Sequence, residues 1–486
     1  MTKAIHVSLS NNHARNIAVN CLVQFESQHQ YIQDSLSDIF DHNKLSSEEK
    51  RLATELAYGT CRRLISLDTI LKHFSTRPLK RIEPAILQIL RVGLYQMLFL
   101  SGTPDFAAIH QAVRQAKEAT HGKAGPFVNA VLRSVQRDRV SEVPAEIGIG
   151  LRNVIPVDDT TGVAFRSNLL PDPLKNIAKY YGHYYSQPQW LVDRWLKRFD
   201  EKTVQMICSA CNGRPPLVLR VNTLIQEPEA FASLLREKEI HFLHSYNIFF
   251  LSTPINPENI PGYSQGMFSL QDKTAMSAAL LLAPLEGEDI LDICAAPGGK
   301  TTQMAELMNN KGSIVACDLD SKRLQKVEAN CKRLGIKNVN TCSLDQLNTL
   351  LEQGRRFDAI LIDAPCSNTG VLARRVEARH LLSPADMKKR QKTQYAIMEK
   401  SVQCLKPTGR LLYSTCSIEP QENEGLVELF LTAYPNFELT EKHLTLPTSD
   451  NQSNRLATHE SSSMSIPWCD GGFIALLQPR DIFGSI

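Results

Sequence analysis

The chain has no run of about 18 apolar residues, so no membrane-spanning helix is expected. Its opening residues, MTKAIHVSLSNNHARN, carry no apolar h-region, so no secretory signal is expected and a cytoplasmic setting is. The twelve cysteines lack framework spacing, which excludes a disulfide scaffold and fits free thiols in a reducing compartment. A lone CxxC, Cys208 and Cys211, has no second pair to complete a zinc site. Two buried thiols and no metal are the expectation there. Neither GxGxxG nor GxxxxGK[ST] occurs, which argues against a diphosphate cradle. A net charge of +3 makes no nucleic-acid case for the chain as a whole.

What is present divides the 486 residues into several domains. Residues 61–140 hold thirteen Lys and Arg against five Asp and Glu, a local surplus that suits a polyanion partner or a solvated basic face. Ser46-Ser47-Glu48-Glu49 opens a helix, and Ala53, Leu56, Ala57, Cys61, Leu64 and Leu67 recur near its period. Glu83–Leu100 reads as a strongly apolar helix, and Ala107–Ala119 and Pro126–Arg137 as shorter ones. Residues 1–140 are therefore expected to be a bundle of five or six helices. Arg62, Arg63, Arg77, Arg81, Arg91, Arg114, Arg133 and Arg137 are its candidates for phosphate contacts.

Residues 141–184 break any period with Pro144, Gly148, Gly150 and Pro156 and read as a linker with one strand near Gly162–Arg166. Tyr180, Tyr181, Tyr184 and Tyr185 at its end suit domain contacts better than base stacking. Residues 185–267 read as a small α/β subdomain in which Arg220 and Asn222, at a strand end, suit either RNA or a structural role. Residues 268–486 alternate strand and helix as a doubly wound sheet requires. Strands are expected at Asp289–Cys294, Ser313–Cys317, Asn338–Cys342, Asp358–Asp363 and Gly409–Ser414, with Gly472–Gln478 completing an edge. The helix opened by Ser383-Pro384 is expected to reach Leu405, stopped by Pro407 and Gly409. Residues 443–470 read as a surface loop.

The stretch Asp292-Ile293-Cys294-Ala295-Ala296-Pro297-Gly298-Gly299-Lys300 ends a strand in a glycine turn and opens a helix. Such a turn lets a nucleotide-like ligand approach the backbone and meet a helix N-terminus. Without a phosphate motif, an adenosine ligand is the better expectation. Asp318, about 20 residues on, ends the second strand, where a carboxylate takes ribose hydroxyls. Asp345 follows the third strand and suits an adenine amine.

Asp363-Ala364-Pro365-Cys366-Ser367 and Ser414-Thr415-Cys416-Ser417 each end a later strand. Two thiols and a carboxylate beside an adenosine pocket suit cytosine C5 chemistry. A thiolate added at C6 makes C5 nucleophilic towards an electrophilic methyl group. Asp363 is placed to hold N3 protonated, and a second group must assist loss of the C5 proton and of the thiol. Lys300 and nearby helix N-termini favour the thiolate.

DxCAAPGGKTT, DAPCSxTG and TCSxxPxEN resemble the cytosine-5 RNA methyltransferases that use S-adenosylmethionine. The basic bundle, with Phe127-Val128-Asn129-Ala130-Val131-Leu132-Arg133, resembles the NusB-type RNA-binding domain. Together they resemble the bacterial Sun/Fmu (RsmB) 16S ribosomal RNA methyltransferases, over nearly the whole chain apart from 141–184 and 443–470. The resemblance implies Cys416 as the nucleophile, Cys366 assisting product release, and Asp363 holding the base. It places the cofactor against Cys294, Ala295, Ala296, Pro297, Gly298, Gly299, Lys300, Asp318, Asp345 and Asp363. Arg374 and Arg375 are implied to position RNA. The chain departs from the family where Val376-Glu377 and His380 replace His-Pro-Asp and Trp, and where Leu344 replaces a Gly.

The expected architecture is an all-α N-terminal bundle, a small α/β middle subdomain and an α/β Rossmann-like methyltransferase core. The expected protein is a monomer that methylates cytosine C5 in 16S rRNA. A cytosine-5 enzyme acting on transfer RNA, or a non-catalytic rRNA assembly factor, are the alternatives.

Overall fold

Local sequence sets the first helix boundaries. In the computed structural model, which describes residues 9–251, 255–449 and 468–480, the Ser46 hydroxyl accepts from the amide of Glu49. Glu48 and Glu49 lie in the first turn of that helix, where their charge suits the dipole. Among the described residues seven α-helices precede residue 139: α1 (Ala14–Gln28), α2 (Ile32–His42), α3 (Ser47–Arg62), α4 (Leu64–Phe74), α5 (Pro84–Phe99), α6 (Asp105–Thr120) and α7 (Gly125–Asp138). Every residue of α5 from Ala85 to Leu98 is buried, so α5 is the core helix against which α1, α3 and α6 pack. Each large apolar side chain so buried contributes about 1.5–3 kcal/mol.

Internal contacts divide the chain into two units, residues 1–213 with 372–381, and residues 214–371 with 382–486. The first unit includes the stretch expected as a linker, and that stretch is folded. β1 (Arg139–Pro144), β2 (Val154–Pro156) and β3 (Thr161–Phe165) form an antiparallel sheet in the order β1-β3-β2, with the short α8 (Ala145–Gly148) between β1 and β2. Val154, Ile155, Val163 and Phe165 are buried, so β-branched and aromatic side chains outweigh the Gly and Pro interruptions. α9 (Ile177–Tyr184), α10 (Gln189–Leu196) and α11 (Glu201–Ala210) complete this unit. The four tyrosines are buried against one another, and Tyr180 donates its hydroxyl to the Leu151 carbonyl, 2.9 Å away. They are packing residues, closed to bases.

The second unit opens with β4 (Leu217–Val221), α12 (Pro228–Glu237), β5 (Phe242–Ser245), β6 (Ile248–Leu251) and β7 (Phe268–Leu270), an antiparallel sheet in the order β5-β6-β4-β7. The doubly wound part follows: α13 (Lys273–Leu282), β8 (Asp289–Ile293), α14 (Gly299–Leu307), β9 (Ser313–Cys317), α15 (Ser321–Leu334), β10 (Val339–Cys342), α16 (Leu344–Glu352) and β11 (Phe357–Asp363). Residues 372–381, with α17 (Ala378–Leu381), belong to the first unit. There Arg379 is 1% exposed and donates to the carbonyls of Cys211 (2.7 Å) and Leu372 (2.9 Å) and to Asn212 Oδ1 (3.0 Å). The chain closes with α18 (Pro384–Val402), β12 (Leu405–Thr415), α19 (Glu424–Ala433), β13 (Phe437–Thr445), β14 (Thr448–Ser449), β15 (Trp468–Cys469) and β16 (Gly472–Pro479).

The large sheet runs β10-β9-β8-β11-β12-β16-β13. The five strands from β10 to β12 are parallel, and β16 is antiparallel to both neighbours. Strand order reverses between β8 and β11, which makes their carboxyl ends the crevice where such sheets hold ligands. Two expectations are corrected. β16 is internal, and β13 forms the edge; its Glu438, Glu441 and Lys442 hide it as a strand in sequence while suiting an edge. Pro407 and Gly409 lie inside β12, where the register with β11 is irregular, rather than between elements. The loop expected over 443–470 falls mostly outside the described residues.

Candidate active site at the carboxyl ends of the sheet

The glycine turn is built by backbone bonds. The Ala295 amide donates to the Cys317 carbonyl (3.0 Å) and the Gly298 amide to the Ala295 carbonyl (2.8 Å). Gly298 has φ +102°, and a Cβ there would approach the Val327 Cα to 3.2 Å, so only glycine fits. α14 starts at once, leaving the Cys294–Lys300 backbone facing the crevice with a helix N-terminus behind it. Thr301 donates to Asp292 Oδ2 at 2.6 Å, locking the strand to the helix it feeds. Burial pushes the Asp292 carboxyl up to about 7, opposed by the Thr301 bond and reinforced by Asp363. Burial also pushes the Cys294 thiol up to about 12, aided by Asp363 and Asp318.

Asp318, at the tip of β9, is tied to this turn. Its Oδ2 accepts from the Ala296 amide (3.2 Å), and Oδ1 meets Arg323 at 3.3 Å while Arg323 also donates to the Ala296 carbonyl (2.7 Å). Asp345 lies in the first turn of α16 with its residue exposed at the end of β10. A glycine cradle, a helix N-terminus and carboxylates at two further strand ends fit an adenosine-bearing ligand without phosphates. Among the described residues no group of three or more His, Cys, Asp and Glu is arranged to hold a metal ion.

The candidate catalytic side chains meet at β11 and β12. Lys300 Nζ is 2.7 Å from Asp363 Oδ2. Burial opposes the Lys300 charge, but Asp363, with Cys416 and Asp292, outweighs it and holds the ammonium above its usual range. Cys366 Sγ lies 3.1 Å from Cys416 Sγ, and Cys416 donates to Asn368 Oδ1 at 3.1 Å. The Cys366 thiol is held well above its ordinary range, first by its bond to Cys416 and then by burial. Cys366 is buried, whereas Cys416 is half-exposed. Gly370 closes the loop: its amide donates to the Cys416 carbonyl (3.0 Å), and a Cβ there would strike the Gly471 carbonyl at 2.3 Å.

Sequence reasoning named both cysteines, Asp363, Lys300 and Asp318 but missed their support. Asn368, Ser417, Glu422 and Asn423 stood inside the motifs, yet a motif does not reveal which letters point at one another. For the arginines the structure separates buried from exposed side chains. Arg220 is 2% exposed, bonded to Glu306 and, at 2.8 Å, to Gln271, so it joins β4 to α14 and has no free face for RNA. Arg62, Arg63 and Arg91 are buried as well. Arg91 is held by Asp68 (2.8 Å) and Glu26 (2.5 Å), and Arg63 lies over the Phe99 ring. Arg77, Arg81, Arg114, Arg133 and Arg137 are exposed, with Arg77 stacked on Phe127 at the start of α7. Arg375 is exposed beside Gln33 in the first unit.

Three family models match the chain: 16S rRNA methyltransferase RsmB/F over residues 279–478, the NusB family over 12–137, and the RsmF/B-like ferredoxin-like domain over 187–248. The probable ribosomal RNA small subunit methyltransferase B of Bacillus subtilis is 32% identical, across 87% of this chain and 89% of that one. The ribosomal RNA small subunit methyltransferase B of Proteus mirabilis is 30% identical, across 89% and 94%. Among solved structures, PH0851 superposes with a TM-score of 0.71 at 25% identity, covering 97% of this chain and all of that one. A methyltransferase homologue from Pyrococcus horikoshii has a TM-score of 0.51 at 28% identity, covering 63% and 99%.

Proposed function

The chain belongs to the family of ribosomal RNA small subunit methyltransferase B, and from that premise we propose that it methylates C5 of a cytidine in 16S rRNA through a covalent cysteine adduct. The observation that carries the reading is the pair of thiols, 3.1 Å apart, at the ends of β11 and β12 beside the Lys300–Asp363 pair. Cys294–Lys300, Asp318 and Asp345 would hold S-adenosylmethionine, which would supply an electrophilic methyl group.

Cys416, the more exposed of the two, loses its proton to solvent and attacks C6 as the thiolate, forming the C6–S bond and moving the C5–C6 electron pair to C5. Asp363, oriented by its bond to the Lys300 ammonium, accepts a hydrogen bond from protonated N3 and so holds the base. That ammonium also stabilises the thiolate. C5 would take the methyl group as the methyl–sulfonium bond breaks, with the bonding pair returning to sulfur in the departing thioether, S-adenosylhomocysteine. Loss of the C5 proton then restores the double bond as the C6–S bond breaks. Cys366, in contact with Cys416, assists this release. The exposed arginines of the helical unit supply phosphate contacts, which position the RNA without reading its sequence.

The test uses two variants and unmethylated 16S rRNA. Cys416→Ala should abolish methyl transfer, and Cys366→Ala should trap a protein–RNA adduct visible on a denaturing gel. Full activity in Cys416→Ala would overturn the mechanism, and trapping by the other variant would exchange the two roles. Bisulfite sequencing of rRNA from cells lacking the protein identifies the target cytidine.

A further inference from the structure

Glu422 is 0% exposed, and its carboxylate is satisfied by neutral donors. Oε1 accepts from the Ser367 amide (2.9 Å) and from Gln394 Nε2 (3.1 Å), and Oε2 from the Ser367 hydroxyl (2.5 Å). A buried carboxylate without a cation is costly unless its hydrogen bonds are complete. A glutamine would fill nearly the same volume without that cost. The charge is therefore informative about what it holds.

What it holds is the pair of loops on either side of the reactive sulfurs. Ser367 directly follows Cys366, and its hydroxyl lies 3.0 Å from that of Ser417, which directly follows Cys416. Thr369 joins the same cluster, 3.2 Å from Ser417 and accepting from the Ile418 amide at 3.1 Å. On the other flank, Thr415 donates to Asn423 Oδ1 (2.7 Å) while Asn423 Nδ2 donates to the Ser417 carbonyl (2.8 Å). Gln394 extends the clamp into α18 and also donates to the Pro365 carbonyl (3.0 Å). Residues on both sides of each cysteine are thus fixed through one buried cluster, with Glu422 at its only anionic point among these partners.

We propose that Glu422 is a positioning residue that registers the Cys366 loop against the Cys416 loop and so sets the distance between the two sulfurs. It touches neither sulfur. Beside the field it exerts on Cys366, it acts through Ser367 and Ser417, and its contribution to turnover rests on the two-cysteine mechanism proposed above.

Two readouts test it on the full-length protein. The first is the KM and kcat of methyl transfer. The second is the rate at which diamide joins Cys366 to Cys416, followed by mass spectrometry of the linked peptides. In that oxidation both thiols lose their protons, an S–S bond forms, and the N=N bond of diamide takes up two electrons and two protons as a hydrazine. It reports sulfur registration whether or not the cysteines are catalytic, so it separates failure of this proposal from failure of the mechanism. Glu422→Ala should lower kcat about 100-fold, the scale of an ångström of misplacement, and slow cross-linking, with KM for S-adenosylmethionine unchanged. Glu422→Gln, which keeps one acceptor oxygen, should recover part of both. Wild-type kcat, or a lowered kcat with wild-type cross-linking, would overturn the proposal. If Glu422→Ala does not fold, Ser367→Ala removes one donor and is read the same way: slowed cross-linking supports the clamp and an unchanged rate overturns it.

Discussion

The sulfurs of Cys366 and Cys416 lie 3.1 Å apart although fifty residues separate them in the chain. A disulfide needs about 2.05 Å, so the pair is within a small side-chain movement of bonding. Mild oxidation with diamide should therefore inactivate methyl transfer in step with the appearance of one Cys366–Cys416 linked peptide, and dithiothreitol should restore it. Inactivation by oxidation elsewhere, with these two thiols still alkylatable, would contradict that geometry.

Lys300 and Asp363 form the other close pair, 2.7 Å apart, and the same ammonium lies in the field of Cys416. Lys300→Met should leave the cradle backbone in place but remove the cation from both partners. The expected loss in kcat is about 100-fold, typical of one well-aimed electrostatic group. Stopped-flow adduct formation is the direct measurement, and an unchanged adduct rate would remove Lys300 from the first step.

Much of this was legible in the sequence, and the reasons for the rest are specific. Strand ends could be read because β8, β9 and β11 are short apolar runs closed by Gly or Asp, which is why Cys294, Asp318, Asp363 and Cys366 fall near their expected places. β13 could not be read, since an edge strand with charges on its exposed positions has the composition of a loop. The fold of residues 139–165 was hidden by Gly and Pro residues that punctuate its short strands. Charge counts could not tell Arg91, locked between Asp68 and Glu26, from Arg133 or Arg137, because a count ignores which helix face each occupies. The contacts of Glu422 were invisible for a related reason: its carboxylate's partners, Ser367 and Gln394, come from two segments distant in the chain.

That distinction among arginines has a measurable consequence. Arg133 and Arg137 lie one turn apart on the exposed side of α7. Replacing both with glutamine should weaken rRNA binding and reduce the slope of log affinity against log salt by about 1.5, as two lost phosphate contacts would. Arg91→Gln should act differently. It leaves Asp68 and Glu26 without their buried cation, so it should cost about 3 kcal/mol of stability and melt the helical unit earlier. Equal salt slopes in the double variant and the wild type would remove this face of α7 from the RNA contact.

The last consequence concerns pH. Burial raises the Asp292 carboxyl to about 7, whereas an unfolded aspartate ionises near 4. A carboxyl raised on folding binds its proton more tightly in the native state. Its contribution to stability is complete below the unfolded value and is lost as pH rises through about 7. Above that pH the native protein must either carry a buried charge with Oδ1 unpartnered among the described residues or unfold more readily. Asp292→Asn keeps an acceptor for Thr301 and cannot ionise, so it should flatten the fall in Tm between pH 4.5 and pH 7.5 by about 3 °C or more. Differential scanning calorimetry of both proteins across that range gives the comparison directly. Parallel Tm curves would show that the carboxyl is already ionised in the native state and that the Thr301 bond, rather than a proton, makes its burial tolerable.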